Sequence, residues 1–450
     1  MEAPEAYLRA LTAPLARARE GSPLPVARFS LEAVAHAFVV LGLLPAARAE
    51  EILAAQRPAL QAAGVRLLTG RVIGELSISP AARGFQHARA AAPDSLHQIP
   101  LAAAAGPVRC RLREHGLVIT SAMLTPEGIR ARYHGDAREG DDNDARAWGE
   151  EIIREIRELS ITDDTGGTYL VPAGQVGGHV SGRRLASGGT LLAPEGEFLA
   201  APASREAGSR GGPPAVRWLE FFAGSGPPAR VEIPSSAAVL TGTTEPPWPT
   251  PAECYLAQFA PPARDWSLGS FGGGTVELDT AAIVTAVADA LLAVGALPPD
   301  SAVLAGLPGS VRRDWRLELS DRQLALMDVW RGPARVSSAG LAARLPLERA
   351  TAVIESITAR EDMVSARLYG YPWVIGTSWP MITPCFRVTA VDDTGAEHEG
   401  GPVSESQPLA CEGSGAFWFW PPVGPQAKQL RVTVSTLREA AWALIDIPGR

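Results

Sequence analysis

A chain of 450 residues, 46% hydrophobic and 20% charged, is too long for one ordinary core and too apolar to remain disordered. Its net charge of −8 speaks against a nucleic-acid binder, which needs a clustered basic face. Lys428 is the only lysine and follows Gln426-Ala427, so a GxxxxGK[ST] nucleotide loop and a kinase-type lysine are both excluded.

The chain opens with EAYLRAL (Glu5–Leu11), a short helix with no basic stretch ahead of an apolar core, so no secretory leader is expected. LEAVAHAFVVLGLLP (Leu31–Pro45) predicts the main helix, with Ser30 as its N-cap. His36 breaks its apolar surface and predicts a helix edge or a hydrogen bond to the sandwich that follows. The run from Ala46 continues as a second helix, interrupted near Pro58. From Val118 the period becomes two, and Thr125-Pro126-Glu127-Gly128 is turn chemistry, which predicts a β-hairpin. GDAREGDDNDAR (Gly135–Arg146) lacks the ligand spacing of a calcium loop and reads as a solvated insertion ahead of the helical run WGEEIIREIREL. Asp163-Asp164-Thr165-Gly166 then marks a strand reversal, and Ala215–Pro234 adds two more strands.

The second half repeats this order. ECYLAQF (Glu253–Phe259) answers EAYLRAL, and Thr250 with Glu253 forms a capping-box arrangement. VTAVADALLAVGALP (Val284–Pro298), with Asp279 as N-cap, aligns Gly295 and Pro298 with Gly42 and Pro45 and sets Asp289 opposite His36. Asp289 also makes the apolar run Ala281–Leu297 a buried core helix rather than a membrane span. VITSAMLTPEGIRARYHG (Val118–Gly135) aligns without gaps to VIESITAREDMVSARLYG (Val353–Gly370), with six of eighteen positions identical. DDTG recurs at Asp392–Gly395, and Ala427–Pro448 repeats the closing strand pair. Five matches in one order predict two diverged copies of a unit of roughly two hundred residues.

The predicted fold class is α+β: two tandem copies of a unit with N-terminal helices followed by an antiparallel immunoglobulin-like β-sandwich. The boundaries are a helical segment at 1–70, a sandwich at 71–240, a proline-rich linker at 241–250, a second helical segment at 251–312 and a second sandwich at 313–450. Over residues 105–235 and 345–448, the short strands joined by DDTG turns resemble the immunoglobulin-like modules of uncharacterised high-GC, actinobacterial-like proteins. That resemblance implies a fold and no activity.

Little in the sequence carries chemistry. The DDTG carboxylates could bind a hard cation, but Asp and Gly are also the preferred residues of hairpin reversals, and turn chemistry is the expectation. Cys110, Cys254, Cys385 and Cys411 form no CxxC pair and predict buried thiols in a reducing, cytoplasmic setting. The seven histidines form no HxH or HExxH pair, so no metal, cofactor or catalytic residue is assigned. Alternation in AFWFWPP puts Phe417 and Phe419 on one face of a strand and Trp418 and Trp420 on the other. Trp373, Trp379, Trp418 and Trp420 form the candidate binding patch, facing a protein partner, a sugar or the sister unit, or else packed between the units or under the helices. The expected function is non-enzymatic binding or scaffolding, with no nucleic-acid or membrane partner and homo-oligomerisation left open. An enzyme with its site between the units and a structural pseudo-dimer are the alternatives.

Overall fold

The computed structural model describes residues 3–15, 33–62, 96, 98–104, 107–112, 115–136, 138–140, 142–184, 190–203, 216–223, 227–233, 239–257, 280–306, 337–360, 363–371, 387–409, 412–436 and 438–450. Helices are α1 (Ala3–Leu15), α2 (33–40), α3 (Ala46–Ala62), α4 (Asp142–Ile156), α5 (Pro251–Ala257), α6 (Thr280–Ala293) and α7 (Val303–Gly306). All but α4 belong to one apolar cluster drawn from both halves of the chain, with Leu8, Phe38, Leu44 and Ile52 packed among Leu256, Leu291, Leu297 and Val303. Joining the two sets of helices removes the apolar faces of both from water.

The helix ends follow the sequence. Gly42 and Gly295 both take φ +72°, which a side chain would resist. After each, two amides turn back onto one carbonyl. Leu43 and Leu44 donate to Phe38 at 2.8 and 3.1 Å, and Ala296 and Leu297 donate to Leu291 at 2.9 and 3.1 Å. Thr250 and Glu253 close the capping box on α5, with Thr250 N donating to Glu253 Oε2 at 3.0 Å and Glu253 N to Thr250 Oγ1 at 3.2 Å. Helix α3 runs through Pro58 without the expected interruption. One missing amide removes a single bond, and the flanking alanines favour continuation. Ser30 and Asp279 lie outside the described residues.

The first sheet contains β1 (Ala102–Ala103), β2 (Val108–Arg111), β3 (Gly116–Thr125), β4 (Gly128–Gly135), β5 (Arg138–Gly140), β6 (Leu159–Asp163), β7 (Thr168–Leu170), β8 (Val176–Arg184), β9 (Thr190–Pro202), β10 (Trp218–Ala223) and β11 (Ala229–Glu232). The second contains β12 (Leu240–Thr244), β13 (Ser337–Arg344), β14 (Thr351–Ala359), β15 (Val364–Tyr371), β16 (Arg387–Asp392), β17 (Glu397–Leu409), β18 (Glu412–Trp420), β19 (Gln429–Ser435) and β20 (Ala440–Asp446). Their hydrogen-bonded orders correspond. The first runs β1-β3-β4-β9-β7-β6-β10-β11, and the second runs β13-β14-β15-β18-β17-β16-β19-β20, with β12 added at its far edge. Strand β17 does alone what β7 and β8 share in the first sheet.

Each strand set is thus connected as one antiparallel sheet, the first of them through just two residue pairs between β7 and β9, where an immunoglobulin-like sandwich has two separate sheets. Inward residues from opposite ends of the second sheet, such as Ala352, Leu368, Phe417, Val432 and Ala443, meet in one core, so the sheet must curl on itself. The first sheet does the same around Ile119, Ala131, Phe198 and Leu219. Both predicted hairpins are present, closed by Thr125↔Gly128 in the first and by Arg360 and Met363 in the second.

Two expectations change. Part of the proline-rich linker is strand β12, which pairs with β20 from Leu240↔Leu444 to Thr244↔Ala440. Its threonines suit a strand, and the edge of β20 supplies unpaired backbone groups to receive them. The acidic insertion is not simply a solvated loop either. It forms β5 against β9 and the first turn of α4. Among the described residues, no helix is long and apolar enough to cross a membrane.

Candidate functional site

The sequence draws attention to loops and tryptophans, but the densest polar assembly lies where the outward faces of the two sheets meet. On β4, Ile129, Ala131 and Tyr133 point into the first core, which sends Arg130 to the opposite face. On β15, Val364, Ala366 and Leu368 point into the second core, which sends Arg367 and Tyr369 outward. These outward faces are buried because they cover each other. Ser338 of β13 donates to the Thr120 carbonyl of β3 at 2.5 Å, and Gly340 approaches Ala103 and Ala104 so closely that a Cβ would lie 2.5 Å from the Ala104 oxygen.

Glu355 of β14 is the hub. Its carboxylate accepts from Arg130 of the first sheet, from Arg367 Nε at 2.9 Å and from Ser414 Oγ at 3.0 Å. Arg367 continues across the joint to Glu197 of β9 at 2.7 Å. Nearby, Glu412 Oε2 accepts from the Tyr369 hydroxyl at 2.8 Å and from the Gln98 amide at 2.7 Å. Burial and the neighbouring Arg367 charge lower the Arg130 guanidinium to about 10. Arg367, acting against burial, holds Glu197 below the usual carboxylate range. Burial and then Glu412 push the Tyr369 phenol well above its ordinary value, so it is neither a nucleophile nor a base near neutral pH. Cations and anions here are paired with each other across the two units. This chemistry fastens two surfaces together.

The DDTG motifs are turns in both copies. Asp163 Oδ1 accepts from Thr165 N, Thr165 Oγ1 and Gly167 N at 2.6–2.8 Å, and Asp392 Oδ1 accepts from Thr394 N, Thr394 Oγ1 and Ala396 N at 2.6–3.0 Å. Burial would raise these two carboxyls, yet the donors outweigh it and both lie below the usual range. The second aspartates reach sideways, Asp164 to the Arg217 amide at 2.8 Å and Asp393 to the Lys428 amide at 3.1 Å. With their oxygens aimed at backbone donors, the pairs are fasteners of the turn.

His36 corrects another expectation. Its Nδ1 lies 3.1 Å from the Tyr255 hydroxyl, so its partner is a helix of the other half rather than a sandwich. Burial lowers the imidazole to about 4. His398 is held by Pro421 O at 2.6 Å and Asp392 Oδ2 at 3.3 Å, with both ring nitrogens engaged. Cys110 and Cys254 are free and buried, and burial pushes their thiols to about 12 and about 11, which leaves them unreactive.

Of the candidate aromatic patch, Trp373 and Trp379 lie outside the described residues. Phe417 and Phe419 are in the second core, as the alternation predicts, and Trp418 is half-buried on the opposite face. Trp418 shares that face with Ser414 and pairs across to Ser365, which sets it at the rim of the joint. For Trp420, only its place at the end of β18 is described. Residue reading passed over Arg130, Glu197, Glu355 and Arg367. The one available signal was Glu355 itself, a carboxylate inside the apolar run VIESITA where the aligned first-unit residue is Thr120.

A second polar group stands beside helix α4. His115, between β2 and β3, and Glu151 and Glu155, one turn apart on α4, bring one ligand atom each within 4.8 Å of one another. Trp148 packs edge-on to His115 with ring centroids 6.2 Å apart, and Arg138 stacks over Trp148 at 4.1 Å.

No protein-family model matches the chain, and no curated protein does. Among solved structures, the crystal structure of the conserved domain protein from Bacillus anthracis is similar at 8% identity over 72% of this chain and 75% of that one. Its TM-score of 0.18 is too low to inform fold or function.

Proposed function

We propose that the chain is a non-enzymatic binding or scaffolding protein, built from two diverged copies of one helix-plus-sheet unit, whose outer sheet surfaces are held in fixed relation. The observation that carries this reading is the pairing at the joint. The ionisable side chains that the two units bring together, Arg130, Glu197, Glu355 and Arg367, bond to one another. An active site between the units would keep such groups facing a cleft with at least one available for substrate. The matching strand orders, the two DDTG turns and the paired Gly42 and Gly295 caps support the two-copy part of the reading. Trp418, at the rim of the joint, is the aromatic best placed to extend a binding surface from one unit to the other.

The test has two arms. Tagged chain recovered from its own host is compared with Trp418→Ala by quantitative mass spectrometry, and a near-stoichiometric protein lost in the variant is the expected result. Purified chain is also incubated with a metabolite extract of the host. Consumption of any metabolite in excess of the protein present would overturn the non-enzymatic reading.

A further inference from the structure

We infer that His115, Glu151 and Glu155 form a binding site for one divalent transition-metal ion, with zinc the best match, which clamps α4 to the strand pair β2–β3. This goes beyond the scaffolding reading and does not rest on it.

Local folding sets up the donors. The backbone closes between β2 and β3 through Leu112 N to His115 O at 2.8 Å, which fixes the residue that carries the imidazole. On α4, the buried stripe Trp148, Ile152 and Ile156 packs into the first core. Glu151 and Glu155 are four residues apart on an adjoining stripe, so their carboxylates project from one side of the helix. The seam between helix and strands therefore holds one nitrogen donor and two oxygen donors within 4.8 Å.

The observation that points to a ligand is at His115 Nε2. This atom is shut off from solvent and has no hydrogen-bond partner among the described residues, yet it lies 3.3 Å from Glu151 Oε2. The two atoms are at ion-pair distance but lack hydrogen-bond geometry. A metal ion bound by both accounts for the same closeness in a different geometry. Two ligand atoms bonded at about 2.0–2.1 Å to a tetrahedral ion stand roughly 3.3–3.4 Å apart. The His115–Glu151 separation matches that figure, and Glu155, whose ligand atom lies within 4.8 Å of the others, would complete the set by a side-chain rotation.

Chemistry narrows the ion. Imidazole nitrogen disfavours calcium and magnesium, which take oxygen, whereas a mixed nitrogen and carboxylate set suits zinc and its neighbours. Three protein donors leave the fourth position to water. Trp148 walls one side of the imidazole, and Arg138, stacked on Trp148, holds that wall in place.

The test uses the full chain without a histidine tag, stripped with EDTA and titrated with zinc against a chromophoric chelator. Wild type is expected to take up one equivalent more than His115→Gln, Glu151→Gln or Glu155→Gln, or to bind that equivalent at least about 10-fold more tightly. Cobalt should give wild type visible d–d absorption that His115→Gln lacks, and millimolar calcium should not displace zinc. Far-UV circular dichroism checks that each variant folds. Should a glutamate variant unfold, the cobalt spectrum of His115→Gln decides alone. Equal zinc stoichiometry and affinity in wild type and His115→Gln would overturn the site, as would wild type that binds no zinc.

Discussion

Replacing Glu355 with Gln tests whether the joint holds the two units together. Glu355, Arg130 and Arg367 have side chains only 2%, 10% and 5% exposed, so water cannot take over the role of a lost carboxylate. Removing one partner of a buried ion pair costs about 3–5 kcal/mol, because it leaves a charge desolvated and uncompensated. Arg367 keeps Glu197 at 2.7 Å, which concentrates the loss on Arg130 and places the effect near the lower end, about 3 kcal/mol. With an unfolding slope of about 2–3 kcal/mol per molar urea, the midpoint should fall by roughly 1 M. Tryptophan fluorescence and far-UV circular dichroism should report the same transition. Adding Arg130→Met to Glu355→Gln removes the orphaned cation, so the double variant should recover at least about 1 kcal/mol relative to Glu355→Gln alone. A Glu355→Gln variant within about 0.5 kcal/mol of wild type would refute the reasoning, and so would a double variant destabilised by the sum of its singles.

Two further outcomes follow from local geometry. His36 titrates at about 4 in the folded chain because it is buried, against about 6.5 when unfolded, so the unfolded state binds the proton first. The stability this confers is complete above pH 6.5 and falls by about 3 kcal/mol as pH drops through 4, and His36→Gln should flatten that dependence in urea midpoints measured from pH 4 to 7. Gly128 and Gly395 both have positive φ, but a Cβ at Gly128 would lie 2.1 Å from the Ala200 oxygen whereas Gly395 faces open space. Gly395→Ala should therefore cost about 1 kcal/mol and Gly128→Ala clearly more, in thermal unfolding of the two variants, and equal losses would contradict the contact argument.

Local signals were legible in the sequence wherever a short stretch contained its own explanation. The capping box at Thr250 and Glu253, the glycine caps after α2 and α6, the hairpin at Pro126-Glu127 and the DDTG reversals each need only a few neighbouring residues to specify them. Alternation also put Phe417 and Phe419 on one face of their strand, and that face is the one in the core. What it could not reveal is which outward face stays wet. Arg130 and Arg367 occupy positions that read as solvated, and they are buried because another sheet covers them, with cross-joint partners 225 and 170 residues away in the chain. The His115 cluster was hidden for the same reason, since an E-x-x-x-E spacing on a helix is commonplace until folding brings an imidazole to it. The single curled sheet in each unit was equally hidden, because strand periodicity is the same in a sandwich and in a sheet that closes on itself.

The two contact regions between the halves follow different rules. In the helical layer, His36 meets Tyr255, and the Tyr7 phenol is raised by burial and then by the Asp289 charge. In the alignment Tyr7 matches Tyr255 and His36 matches Asp289, so the His36–Tyr255 hydrogen bond has an electrostatic counterpart in the Asp289 charge that acts on Tyr7. Such reciprocity between equivalent positions is the pattern of a twofold-symmetric dimer. At the joint, the aligned equivalents of Arg130 and Glu355 are Ser365 and Thr120, so the charged pair occurs once instead of twice. A dimer of identical subunits could not place a charge pair on one side only, because any substitution appears in both copies. A fused chain is free of that constraint. On the two-copy reading proposed above, the helices keep the symmetry expected of a duplicated dimer, while the joint carries a pairing that two identical subunits could not form on one side alone.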